Sequence, residues 1–71
     1  MEYTTVGNNL RSLRLGAGLT QEAVAKSIGV TRQTVIAMEK GNYVPSVLLA
    51  LMSARLFSCT VEEIFYVIEP R

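Results

Sequence analysis

The stretch VTRQTVIAMEK, residues 30–40, gathers side chains of this 71-residue chain that could recognise another molecule. Val35 and Met38 are spaced to share a buried helix face, which leaves Arg32, Gln33, Ile36 and Ala37 pointing elsewhere. Arginine and glutamine there offer several hydrogen-bonding atoms each, beside two apolar neighbours. Catalytic equipment is missing. Histidine is absent and Cys59 is the sole cysteine, so the usual zinc sites, histidine-based nucleophilic triads and an internal disulfide framework are unavailable. Glu62 and Glu63 are the only adjacent carboxylates, and a helix cap accounts for them. The expectation is a binding protein, not an enzyme, with no metal and no cofactor.

The elements that must position these residues can be read from the punctuation. Apolar residues make up 49% of the chain and charged residues 18%, which suits one folded domain over residues 1–71 rather than a disordered tail. Helix one is predicted from Val6 to Ala17, with Thr5 as its cap, Leu10, Leu13 and Ala17 as its stripe, and Gly18 as its stop. Thr20 caps helix two, QEAVAKSI, in which Val24 and Ile28 face one way; Gly29 ends it. Thr31 caps helix three, which runs to about Lys40 before Gly41-Asn42. Pro45-Ser46 starts helix four, with Val47, Ala50, Leu51, Ala54 and Phe57 as its core-facing set. Thr60 and Glu63 form a capping box for a short fifth helix through Ile64 and Phe65. The ending YVIEPR is β-prone but short, and no strand pair is signalled elsewhere, so the expected fold class is all-α.

The amino terminus MEYTTVGNN shows no basic start or apolar stretch, and VLLALMSARLF is too short to span a membrane, so a cytoplasmic protein without a membrane partner is expected. Net charge is only +1. Its distribution is uneven: residues 1–55 carry six basic and three acidic side chains, whereas residues 56–71 carry one basic and three acidic. A polarised molecule can present a basic face despite a near-neutral total.

Helices two and three are joined by only Gly29 and Val30 before the Thr31 cap. So tight a turn makes the helices cross steeply and in contact, with Ala25 at the closest approach. These are the cues of a helix-turn-helix, whose second helix enters the DNA major groove. The stretch LRSLRLGAGLTQEAVAKSIGVTRQTVIAMEKGNYVPS resembles the phage-repressor-like (Cro/CI, or XRE) helix-turn-helix proteins. LTQE, Ala25, IGV, TRQT, EKG and PS fall in order at that family's spacing, and the likeness runs from about Leu10 to Phe65. The resemblance implies a lambda-repressor-like domain of five short helices that binds double-stranded DNA sequence-specifically. It also implies a homodimer that regulates transcription, expected as a repressor on a near-palindromic operator.

In that setting Arg32 can form a bidentate pair with guanine and Gln33 with adenine, while Ile36 and Ala37 suit a thymine methyl. The resemblance implies that Gln21 binds a backbone phosphate and braces Gln33, and that Thr34, Lys40 and Asn42 contact the DNA backbone. Thr31 has two roles open to it, capping helix three and donating to phosphate. Arg14 and Glu39 match a family pair that forms a salt bridge between helix one and the end of helix three. Lys26 and Arg11 read as ordinary surface residues.

Helix four departs from the family. Leu48 and Met52 stand where charged residues are common, and Ser53 stands at an apolar core position. Leu49 and Leu56 make the helix apolar nearly all round, and Phe65, Tyr66, Val67 and Ile68 follow. A helix of that kind needs cover on more than one side. Leu48, Leu49, Met52, Leu56, Phe65, Tyr66, Val67 and Ile68 are therefore expected to form a homodimer interface together with the tail, residues 66–71. Ser58 and Cys59 replace the family's glycine and valine after helix four, which would alter that turn, and Cys59 reads as a small apolar packing residue. The alternative reading is an antitoxin-type interaction module whose main partner is a second protein; Arg32 and Gln33 argue against it, since such a module has no need of them.

Overall fold

The structure, a computed structural model, describes residues 5–69. Pro70 and Arg71 of the expected dimerising tail lie outside the described residues. The order of elements is β1 (Thr5–Asn8), α1 (Leu10–Gly16), α2 (Gln21–Ile28), α3 (Arg32–Glu39), α4 (Val47–Leu56), α5 (Val61–Ile64) and β2 (Phe65–Ile68).

The two strands correct the all-α expectation. β1 and β2 pair antiparallel, with Thr5 opposite Ile68, Val6 opposite Val67, Gly7 opposite Tyr66 and Asn8 opposite Phe65. The first helix consequently begins four residues later than its sequence suggested, and Thr5 lies in a strand rather than at a cap. Two asparagines manage the junction. Asn8 Oδ1 accepts from the Leu10 amide at 3.0 Å, while Asn8 Nδ2 donates to the Met38 carbonyl at 2.7 Å. The Asn9 amide donates to the Ile64 carbonyl at 2.8 Å. The start of α1 is thus tied both to the end of α3 and to the end of α5. Gly7 lies under two side chains of β2: an added Cβ would fall 2.5 Å from the Tyr66 ring and 2.9 Å from the tip of Ile68, so those side chains would have to shift.

One apolar core joins the helices, built from Leu10, Val24, Ala25, Ile28, Val35, Met38, Leu49, Ala54, Ile64 and Phe65. α4 is rotated from the expected face. Val47 and Leu51 project into solvent, Val47 being 77% exposed, whereas Leu49, Ser53 and Ala54 face inward. Ala54 is buried as expected, the rotation brings Leu49 and Ser53 in beside it, and the Ser53 hydroxyl donates to the Leu49 carbonyl at 2.8 Å, so no polar atom is stranded there. Leu49 and Phe65 are therefore part of this chain's own core and are withdrawn from the expected dimer surface.

The α4–α5 turn keeps a left-handed residue although it lacks glycine: Ser58 has φ +52°. The Cys59 amide closes the turn on the Ala54 carbonyl at 3.0 Å. Cys59 itself is half-buried, and its thiol is pushed upward by desolvation and then by the Glu63 charge, which keeps it protonated. At α5 the capping box is complete, Thr60 Oγ1 accepting from the Glu63 amide at 3.2 Å and Glu63 Oε1 accepting from the Thr60 amide at 2.8 Å.

Candidate nucleic-acid interface

The site is built on a short turn. Thr20 Oγ1 caps α2 by accepting from the Ala23 amide at 3.0 Å. At the other end Gly29 adopts φ +78° and the Val30 amide returns to the Ala25 carbonyl at 3.0 Å. Only a residue without a Cβ takes that backbone conformation freely. Ala25, Val24 and Ile28 of α2 are buried in the same core as Val35 and Met38 of α3. Thr31 then caps α3, its Oγ1 accepting from the Thr34 amide at 3.3 Å and lying 3.2 Å from the Thr34 hydroxyl.

α3 is anchored by one face and open on another. Val35 and Met38 are fully buried. Arg32 and Gln33 are exposed, while Thr34, Ile36 and Ala37 are half-buried at its edge. Lys40 is exposed as the C-cap residue, and Asn42 is exposed in the loop that follows. Arg32, Gln33, Lys40 and Asn42 can therefore all be approached from solvent.

Arg14 of α1 fixes the far end of α3. Its Nε and Nη2 donate to the two carboxylate oxygens of Glu39, the latter at 3.2 Å, and its Nη1 donates to the Leu19 carbonyl at 3.0 Å. The Glu39 hydrogen bond raises the Arg14 pKa above its ordinary value against the opposing effect of burial. With side chains only 10% and 5% exposed, the pair is a strut rather than a ligand site. Gln21 joins it. Its Nε2 donates to Glu39 Oε1 at 3.2 Å, so Gln21 braces Glu39, where the resemblance implies that it braces Gln33.

One contributor escaped the sequence reading. Asn8 holds the carbonyl end of α3, a role set by a contact thirty residues away that no local pattern signals. Arg11, exposed, lines the same open groove as Gln21 and Arg32. On the expected dimer surface, Leu48, Tyr66, Val67 and Ile68 are exposed and Met52 and Leu56 half-buried, with Val47 and Leu51 added by the rotation of α4. Among the described residues no group of histidine, cysteine and acidic side chains could hold a metal, and no helix is long and apolar enough to cross a membrane.

Known proteins share this architecture. A model of the helix-turn-helix family matches residues 10–64. The HTH-type transcriptional regulator YgzD of Bacillus subtilis is 48% identical over 62 residues, covering 87% of this chain and 94% of that protein. An HTH-type transcriptional regulator of Methanocaldococcus jannaschii is 50% identical over 58 residues, covering 82% and 88%. Among solved structures, the transcriptional regulator VanUg superimposes with a TM-score of 0.76 at 17% identity, over 99% of this chain and 93% of that one.

Proposed function

The chain belongs to the helix-turn-helix family, and from that premise we propose that it is a transcriptional repressor that binds a near-palindromic operator as a homodimer. The family makes it a DNA-binding regulator and not an enzyme. One observation carries the base-reading assignment: α3 is pinned by the buried Val35 and Met38 while Arg32 and Gln33, in its first turn, stay exposed. The first turn of a recognition helix is the part that meets base edges. Arg32 would give paired bonds to guanine and Gln33 to adenine, with Ile36 and Ala37 against a thymine methyl. Lys40 and Asn42 at the far end of α3, and Gln21, Thr31 and Thr34 at the two helix starts, would set register on phosphates.

The dimer proposal rests on the apolar surface left uncovered: Leu48 is 70% and Val67 61% exposed. Met52, Leu56, Tyr66 and Ile68 extend these two patches. Twofold association through them would set the recognition helices about 34 Å apart, one turn of DNA.

Selection of bound sequences from a random duplex pool tests the reading. Arg32→Ala and Gln33→Ala are each expected to relax preference at one or two base positions per half-site, by about 1–3 kcal/mol at each. Lys40→Ala is expected to weaken binding to all sequences alike and to flatten its salt dependence. Even losses of affinity with unchanged preference in the two first-turn variants would defeat the base-reading assignment.

A further inference from the structure

We propose that Asn8 is a positioning residue for base reading: from the end of β1 it fixes the tilt of α3 through a directional bond to the Met38 carbonyl. This rests on the base-reading assignment above. Asn8 Nδ2 donates to that carbonyl at 2.7 Å, while Asn8 Oδ1 accepts from the Leu10 amide at 3.0 Å. Only one orientation of the carboxamide serves both partners, since one is an acceptor and the other a donor. Aspartate would set a second acceptor against a carbonyl, and an apolar side chain would serve neither partner. Asn8 is also held from behind. It stands opposite Phe65 in the sheet, and the following amide, of Asn9, donates to the Ile64 carbonyl at 2.8 Å.

Packing alone leaves α3 some freedom. Val35 and Met38 are fully buried, but apolar contact is non-directional and fixes the depth of a helix better than its tilt. Hydrogen bonds weaken steeply with angle. Two sets of them grip the last turn of α3 from separate elements, Arg14 of α1 on Glu39 and Asn8 of β1 on Met38. The Met38 carbonyl also accepts from the Gly41 amide at 3.0 Å, so Asn8 takes its second lone pair. Arg32 starts α3 six residues before Met38, roughly 9 Å away along the axis. A tilt of about 5° at Met38 would move that first turn by roughly 0.8 Å, more than the spread of about 0.5 Å in N–H···O distances. Paired bonds to a base edge are lost by such a displacement, whereas phosphate contacts carry no sequence information to lose. The Asn8 bond therefore bears on discrimination between sequences.

The test measures the affinity of the full chain for a duplex recovered by selection, and for duplexes with one base pair changed at the positions that Arg32 and Gln33 read. Asn8→Asp keeps the acceptor for Leu10 and replaces the donor facing Met38 by an acceptor. Asn9→Asp is its control: it adds the same charge one residue on, and the hydrogen bonds of Asn9 run to α1 and α5 rather than α3. Asn8→Ala and Asn9→Ala repeat the comparison without a charge. With the folded fraction measured by circular dichroism, both Asn8 variants are expected to lower the ratio of selected to altered affinity several-fold, and both Asn9 variants to leave it unchanged. An unchanged ratio in either folded Asn8 variant overturns the proposal. So does an equal fall in the Asn9 variants, or failure of both Asn8 variants to fold, which would make the bond one of stability alone. Arg32→Ala and Gln33→Ala separate this proposal from the reading beneath it. If they lower the ratio and the Asn8 variants do not, the positioning role alone fails; if they leave preference unchanged, the base-reading assignment fails and takes this role with it.

Discussion

Three hydrogen bonds from two residues converge on the Glu39 carboxylate: Arg14 donates from Nε and Nη2, and Gln21 from Nε2. Removing one member of a largely buried ion pair leaves the other charge without compensation, which is typically worse than never having had the pair. Glu39→Ala is accordingly expected to destabilise the protein by about 3 kcal/mol, read as a lower urea midpoint. Gln21→Ala removes a single neutral donor and is expected to lose no more than about 1 kcal/mol. Ser53, a polar side chain in the core, is harmless because its hydroxyl bonds the Leu49 carbonyl within α4. Its tolerance follows from that local satisfaction.

At the scale of elements, the turn after α4 carries a removable strain. Ser58 holds φ +52°, a conformation that a side chain disfavours by about 1 kcal/mol and glycine does not. Ser58→Gly is expected to raise stability by about that amount, less a few tenths for the added freedom of the unfolded chain, and thermal unfolding measures it. How much of each element could be read in advance depended on whether its signals were local. α2, α3 and α5 begin at Thr20, Thr31 and Thr60, and each hydroxyl accepts a bond from within the next three residues. Those starts were legible. The inward face of α4 was not, because leucines, valine and methionine surround the helix and periodicity selects no side. What fixed it was the fit of Ser53 and Ala54 within the core, a property of neighbours rather than of spacing. β1 was misread for a related reason. Thr5 and Val6 suit a strand or a helix entry equally, and their partner lies at the other end of the chain.

At the scale of the molecule, apolar side chains among the described residues stand open to solvent on two elements, Val47, Leu48 and Leu51 on α4 and Tyr66, Val67 and Ile68 on β2, besides Leu15, Tyr43 and Val44 elsewhere. A chain of this size buries too little of its own surface to leave such areas idle without loss. Sedimentation across a concentration series is expected to show a dimer, and Leu48→Glu is expected to shift the equilibrium towards monomer by placing a charge in the interface. A species that stays monomeric into the high micromolar range would remove the dimer from the account. The exposure of Arg32 and Gln33 was legible because their neighbours Val35 and Met38 claim the buried face, whereas Asn8 acquires meaning only when a distant segment is brought beside it.

The pairing of Thr5 with Ile68 has a consequence for the order in which the molecule comes together. Closing that contact constrains nearly the entire polypeptide at once, so its entropic burden is the largest in the fold, while α2 and α3 meet across a turn of three residues. On a ribosome, β2 is also synthesised after every helix. The α2–α3 hairpin can thus form in a nascent chain before the clasp does, and fraying of the clasp leaves the hairpin's own turn and contacts in place.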